Sequence, residues 1–222
     1  MLVVEGLAMA ELAAQAGWRV EAVFVPAGTS APGGVLGDVP CYELAPGVLE
    51  RVATTDTPQP LLAVVEYRPR ERQELTDAGF VVAAAGLADP GNLGTVLRTA
   101  EAAGADAVVL TPDTVDATNP KVVRASAGAL FHVPLVDQVE LGELRALGLR
   151  VLGTSSRAGT PYTETDFTGR VAIAVGNEAR GLPDDAPVDG WVTIPHAGRA
   201  ESLNAAMATA VICFEAMRQR TR

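Results

Sequence analysis

Gly86 and Gly91 stand at the spacing that opens a phosphate-binding loop, with Gly94 three residues further on. Such spacing serves the cradling of a nucleotide phosphate by backbone N–H groups. Here Asn92-Leu93 replaces the Lys-Ser/Thr that must follow, so nothing reaches a terminal phosphate or Mg²⁺. The same glycines miss the G-x-G-x-x-G spacing of a dinucleotide site. What remains is a loop, residues 88–92, leading into a helix start, where free N–H groups and the helix dipole favour an anionic or polar ligand.

The remaining reactive residue types give no second constellation. His132 and His196 belong to no recognisable triad and read as loop residues beside proline or glycine. Asp89 and Asp116 read as turn formers, and no cluster calls for a metal. Cys41 and Cys213 lie far apart without metal-ligand spacing, which favours buried free thiols. The formal charge of −10 argues against a general nucleic-acid binder. There are 8 acidic against 4 basic residues up to Arg70 and 19 against 13 beyond it, so neither part is basic overall. A basic cleft would have to be local, built from Arg98, Arg124, Arg157, Arg180 and Arg199.

The elements that position the 88–92 loop are legible from periodicity. Residues 81–85 form an apolar run of strand length, and Leu93, Val96, Leu97 and Ala100 then recur at helical spacing until Gly104. A second buried run at 107–110 completes a βαβ unit. Further strands are predicted at 150–154, 171–175 and 191–194, and helices at 119–127 and 140–147. This alternation specifies an α/β fold with a mostly parallel sheet and helices on both faces. From Ser202 onward, Leu203, Ala206, Met207, Ala210, Val211, Phe214 and Met217 form an amphipathic pattern, with Ser202 as a possible N-cap and Asn204 in the first turn.

Residues 1–67 read as a separate small α/β domain: a helix at 5–16, strands at 19–25, 40–44 and 61–65, a short helix at 46–54, and a Gly/Pro-rich loop at 26–37. Residues 68–78 read as a charged linker, and 79–222 as the larger domain. No apolar run approaches the roughly 20 residues of a membrane helix, and no secretory signal follows Met1. A soluble cytoplasmic protein is expected.

Four segments resemble one family, the SpoU/TrmH-type RNA 2′-O-ribose methyltransferases. They are DPGNLGTVLRTAEAAG (89–104), PKVVRASAGALFHVPL (120–135), AVGNEARGLP (174–183) and IPHAGRAESLNAAMATAV (194–211), in the family's order. LVVEGLAMAELA and TDTPQPLLAVVE also resemble the substrate-recognition domain of the family's rRNA-modifying members, and relatives carry a short basic extension before it.

The resemblance implies a C-terminal trefoil knot (the SPOUT architecture), where periodicity alone predicts an ordinary doubly wound sheet. It implies S-adenosyl-L-methionine as cofactor, held in the knot loops by Thr154, Gly176, Ile194, Leu203 and Asn204, with Gly198 at the turn entering the pocket. Asn92, Arg98, Glu178, Ser202 and Asn204 match the family's catalytic motif positions. Arg98 is a poor base, because guanidinium stays protonated, and is expected to bind the adjacent phosphate and stabilise the developing alkoxide. RNA, most specifically 23S rRNA, is the implied partner, together with a second copy of the chain in a homodimer. No membrane and no metal are expected. The alternatives are the same chemistry on tRNA, a non-catalytic RNA-binding module of the same fold, and a dehydrogenase, which the missing dinucleotide fingerprint disfavours.

Overall fold

The computed structural model describes residues 1–53, 55, 57–199 and 201–221. The last residue of the predicted helix 46–54 and Ala200 of the fourth family-like segment lie outside the described residues.

Residues near the N-terminus build β1 (Leu2–Glu5), α1 (Leu7–Gln15), β2 (Val20–Pro26), β3 (Cys41–Leu44), α2 (Leu49–Val52) and β4 (Leu62–Val65). They form a four-stranded sheet in the order β1-β4-β2-β3, parallel only between β2 and β3. Leu2, Val4, Val23, Val25, Ala63 and Val65 point inward onto Ala10 and Ala13 of α1, while Val3 and Tyr42 face solvent. β1 is absent from the sequence reading, which ran the helix from residue 5. Four residues before a glycine carry too short an alternation to register.

The larger sheet draws on β5 (Phe80–Ala84), α3 (Pro90–Ala102), β6 (Ala107–Leu110), α4 (Pro120–Ser126), β7 (Leu135–Val136), α5 (Leu141–Ala146), β8 (Arg150–Thr154), β9 (Thr160–Pro161), β10 (Val171–Val175), β11 (Gly190–Thr193) and α6 (Ala205–Arg220). Its strand order is β7-β6-β5-β10-β8-β11-β9, and every pairing is parallel. Among the described residues of this sheet, the two-residue edge strands β7 and β9 are the strands added to the predicted set.

Alternation sorts the central strands between two cores, as period-2 side chains must. Phe80, Val82, Val108, Val171 and Ile173 face α3, α4 and α6, and share a core with the N-terminal sheet. Val81, Ala83, Val109, Val151 and Ala172 face the side of α5, where Leu141, Leu144 and Leu75 cover them. Helix α3 starts as its sequence dictates: Asp89 accepts the N–H of Asn92 at 2.8 Å, and Pro90 occupies the first turn, where its missing N–H costs nothing. Leu93, Val96 and Leu97 are fully buried, each contributing about 1.5–3 kcal/mol. Gly94 lets α3 lie directly on α4, since a Cβ there would come within 2.8 Å of the Ala125 carbonyl carbon.

The structure corrects four expectations. The 68–78 segment is no free linker. Arg72 binds Glu143 and the Gln138 carbonyl, the Arg70 N–H donates to the Leu135 carbonyl at 2.6 Å, and residues Arg72–Thr76 coil into a short 3₁₀ turn that buries Leu75. Just before it, the Tyr67 hydroxyl donates to Asp137 at 2.6 Å.

The N-cap of α6 is Asn204 rather than Ser202, its Oδ1 accepting the N–H groups of Ala206 (2.9 Å) and Met207 (3.2 Å). The apolar stripe of α6 is also divided. Ala206, Ile212, Cys213 and Ala216 are buried, whereas Met207 (64% exposed), Phe214 (45%) and Val211 (37%) face outward. Hydrophobic spacing alone cannot distinguish the two faces when both carry apolar residues. Burial pushes the Cys213 thiol up to about 12, as expected of an inert core cysteine, whereas Cys41 is only half-buried.

Candidate active site

Three loops converge at the C-terminal ends of β5 and β10. The Glu178 carboxylate accepts the backbone N–H groups of Ala88 (3.1 Å) and Asp89 (3.0 Å), and the Asn92 side-chain amide at 3.0 Å. The carbonyl oxygen of Asn92 in turn accepts the Asn204 amide at 2.9 Å, and Asn204 caps α6. Residues far apart in sequence therefore form one chain of hydrogen bonds, Glu178–Asn92–Asn204, closing the ends of α3 and α6 against the turn after β10. This carboxylate takes the N–H groups of the two residues that lead into α3, a place where negative charge also suits the helix dipole.

Burial opposes the charge on Glu178, but the amide of Asn92 and the backbone N–H groups outweigh it and hold the carboxyl below its ordinary range. A carboxyl depressed in the folded state contributes stability that is complete above its unfolded value, about 4.3, and is lost as pH falls through the lower folded value. Glu178→Gln is accordingly expected to lower thermal stability at pH 7, since an amide offers one acceptor oxygen to three donors. The gap between wild type and variant closes as pH drops beneath that range. Melting curves from pH 7 downward check this, and a gap that widens with acid would refute it.

Asn177, the residue before Glu178, was not singled out in the sequence, although the Gly-Asn-Glu triplet contained the signal. Its amide donates to the Gly86 carbonyl at 2.9 Å, and its Oδ1 accepts the N–H groups of Ala179 and Arg180 at 3.1 and 3.2 Å. It thus shapes the 177–181 turn and pins it to the end of β5. Gly176 is required for the same turn, because a Cβ would lie 2.7 Å from the Gly181 carbonyl oxygen.

Beside this node lies a cavity of about 340 Å³, within the usual range of small-molecule sites, roughly 300–1,000 Å³. Thr154, Gly176, Ile194 and Leu203 all line it, as do Glu178 and Ser202. Asn92, Arg98 and Asn204 do not. Asn92 and Asn204 brace the node, and Arg98 stands exposed on α3, with no hydrogen bond or ion pair among the described residues. Glu101, the residue best spaced to pair with Arg98, is taken by His132 Nδ1 at 2.7 Å. Gly198 is exposed in the loop before Asn204. Arg157, Arg180 and His196 also line it, and the buried Nε2 of His196 has no partner among the described residues.

The fold and this site define a parallel α/β protein with a small-molecule cavity among its C-terminal loops. Residues 79–214 match the SpoU rRNA Methylase family, and residues 1–63 match the MRM3-like substrate binding domain. The chain belongs to the SpoU rRNA methylase family.

It is 38% identical to the 23S rRNA (guanosine(2553)-2′-O)-methyltransferase RlmP of Bacillus subtilis, over 95% of this chain and 86% of that protein. Among solved structures it resembles the SpoU methyltransferase AviRb of Streptomyces viridochromogenes, solved in complex with the cofactor AdoMet. The TM-score is 0.87 at 31% identity, over 99% of this chain and 90% of that one. An AdoMet-bound rRNA methyltransferase of Sinorhizobium meliloti matches with a TM-score of 0.81 at 31% identity, over 98% of this chain and 87% of that one.

Proposed function

We propose that this protein is an S-adenosylmethionine-dependent RNA methyltransferase that modifies the ribose 2′-OH of a guanosine in 23S rRNA. The observation that carries the reading is the Glu178–Asn92–Asn204 chain set against the cavity lined by Thr154, Gly176, Ile194 and Leu203. The cavity suits the cofactor: Ile194, Leu203 and Leu182 supply apolar walls, Thr154 and Ser202 supply hydroxyls, and the unpartnered His196 Nε2 awaits a polar group. When bound, the cofactor supplies a methyl group already activated on a sulfonium. The residues of this chain then have chiefly to orient the 2′-OH, which accounts for much of the acceleration in such a reaction. As the 2′-oxygen takes the methyl group, its proton passes to solvent water and the sulfonium is left as a neutral thioether, while Arg98 holds the neighbouring phosphate and stabilises the oxygen's developing charge. Asn92, Glu178 and Asn204 keep the loops around that oxygen in register.

Residues 1–67 serve as the RNA substrate-binding domain, 68–78 as a connection packed on the larger domain, and 79–222 as the methyltransferase domain, threaded as a trefoil knot. The exposed Met207, Val211 and Phe214, at i, i+4 and i+7 on α6, supply a face for a homodimer. Among the described residues, no group of His, Cys, Asp and Glu is arranged to hold a metal and no helix is long and apolar enough to cross a membrane. Its rRNA substrate assigns the protein to the cytoplasm.

The test is incubation with S-adenosylmethionine and undermodified ribosomal RNA, followed by mass spectrometry of nuclease fragments. A new 2′-O-methylguanosine in 23S rRNA is the expected product. Methylation of tRNA alone would move the substrate assignment, and no methylation of either RNA would leave a binding module.

A further inference from the structure

A second, larger cavity of about 1160 Å³ lies on the other side of the 177–182 turn. Gly86 follows β5, Thr111 follows β6 and Asn177 follows β10, so the cavity opens at the C-terminal ends of adjoining parallel strands, where open α/β sheets take their ligands. Asn177, Arg180, Gly181 and Leu182 line both cavities. The wall between them is therefore the turn that carries Glu178. A nucleotide lying across this turn would bring its ribose to the first cavity and its base to the second. We propose that the second cavity is the binding pocket for the guanine base of the target nucleotide, flipped out of its RNA strand, with Arg180, Asp113 and Asp185 as its reading groups. This rests on the guanosine 2′-O-methylation reading.

The chemistry of the lining selects the base. Pro112, Pro183 and Leu141 supply apolar surfaces for the faces of a ring. Arg180 has no ion pair among the described residues, and the carboxylates of Asp113 and Asp185 accept no hydrogen bond there, so all three remain available. Glu140 also borders the cavity, but its carboxylate already caps the start of α5. A guanidinium pairs bidentately with the O6 and N7 acceptors of guanine. A carboxylate accepts from the N1–H and N2–H₂ donors on the adjoining edge. Adenine puts an amino donor opposite the guanidinium, and pyrimidines lack the N7 acceptor. Sequence-specific readers of RNA work on splayed-out bases in this manner.

Gly142 supplies the test. A Cβ built there meets only the Pro187 side chain, at 4.0 Å, so Gly142→Leu projects into the cavity without a backbone clash, and leucine favours the helix over glycine. Guanosine 5′-monophosphate and adenosine 5′-monophosphate are titrated into the full chain with S-adenosylhomocysteine present, following backbone amide resonances. The expected result is a guanosine-dependent shift of Thr111, Gly142 and Gly181, at least about tenfold weaker binding of the adenosine nucleotide, and loss of the response in Gly142→Leu with S-adenosylhomocysteine affinity unchanged. Asp113→Asn with Asp185→Asn should weaken the preference between the two nucleotides, leaving the part that Arg180 supplies.

No guanosine response at these amides, an equal response to adenosine, or an undiminished response in Gly142→Leu would overturn the proposal. If guanosine binds here yet the wild type methylates no RNA, the methyltransferase reading falls and the pocket stands. If the wild type methylates guanosine and Gly142→Leu does so equally well, the pocket alone falls.

Discussion

Arg98→Ala should lose methyl transfer by about 10²–10³-fold, the usual cost of removing a stabiliser of a developing oxyanion, while keeping wild-type fold and affinity for S-adenosylmethionine. The structure makes this separation possible. Arg98 is exposed on α3, borders no part of the 340 Å³ cavity and has no internal partner among the described residues, so its removal leaves no buried group unsatisfied. Arg98→Lys should recover little, because an ammonium does not reproduce the planar fork that grips a phosphate. Asn204→Ala is the contrasting variant. It removes both the α6 cap, typically worth about 0.5–2 kcal/mol, and the bond to Asn92, so stability and cofactor affinity fall together with rate. An Arg98→Ala rate within a few-fold of wild type, at saturating RNA and cofactor, would return Arg98 to the helix surface.

The βαβ unit was legible because its local signals agree: Leu93, Val96, Leu97 and Ala100 all turn inward, and the apolar runs on either side are fully buried strands. The 150–154, 171–175 and 191–194 strands were legible for the same reason. The cavity was reached differently. Nothing in the periodicity links Thr154 to Leu203, and only the resemblance to the family brought Thr154, Gly176, Ile194 and Leu203 together before the structure did so.

Net charge was the least informative signal, because it does not say which arginines are already used. Arg72, Arg145, Arg150 and Arg218 are bound to carboxylates, and Arg170 and Arg220 to backbone carbonyls. Arg98, Arg157, Arg180 and Arg199 have no ion pair among the described residues, and Arg157 and Arg180 border the 340 Å³ cavity. An acidic body thus keeps some cations uncommitted, two of them beside that cavity. The second cavity was invisible for a related reason. It is assembled from four separate segments, three of them loops and the fourth the start of α5, and no local pattern links them.

The second large effect should come from the outward face of α6. Met207→Asp combined with Phe214→Asp is expected to convert a dimer into a monomer and to take methyl transfer with it. Both side chains are substantially exposed in the single chain, so placing carboxylates there costs the isolated fold little. In a two-fold symmetric interface the same patch occurs on both subunits, and each substitution is felt twice.

Burying a side chain of this size contributes about 1.5–3 kcal/mol, and leaving a carboxylate unpaired in a buried interface costs several kcal/mol more. The expected weakening of association is therefore at least about a thousandfold. Activity should follow the dimer, because the start of α6 is capped by Asn204, whose other bond reaches Asn92, and α6 packs along α3, which carries Arg98. Light scattering at micromolar concentration, run beside the methylation assay, separates the outcomes. A wild type that is already monomeric and active would remove the interface, and a monomeric double variant that retains full activity would show that each subunit works alone.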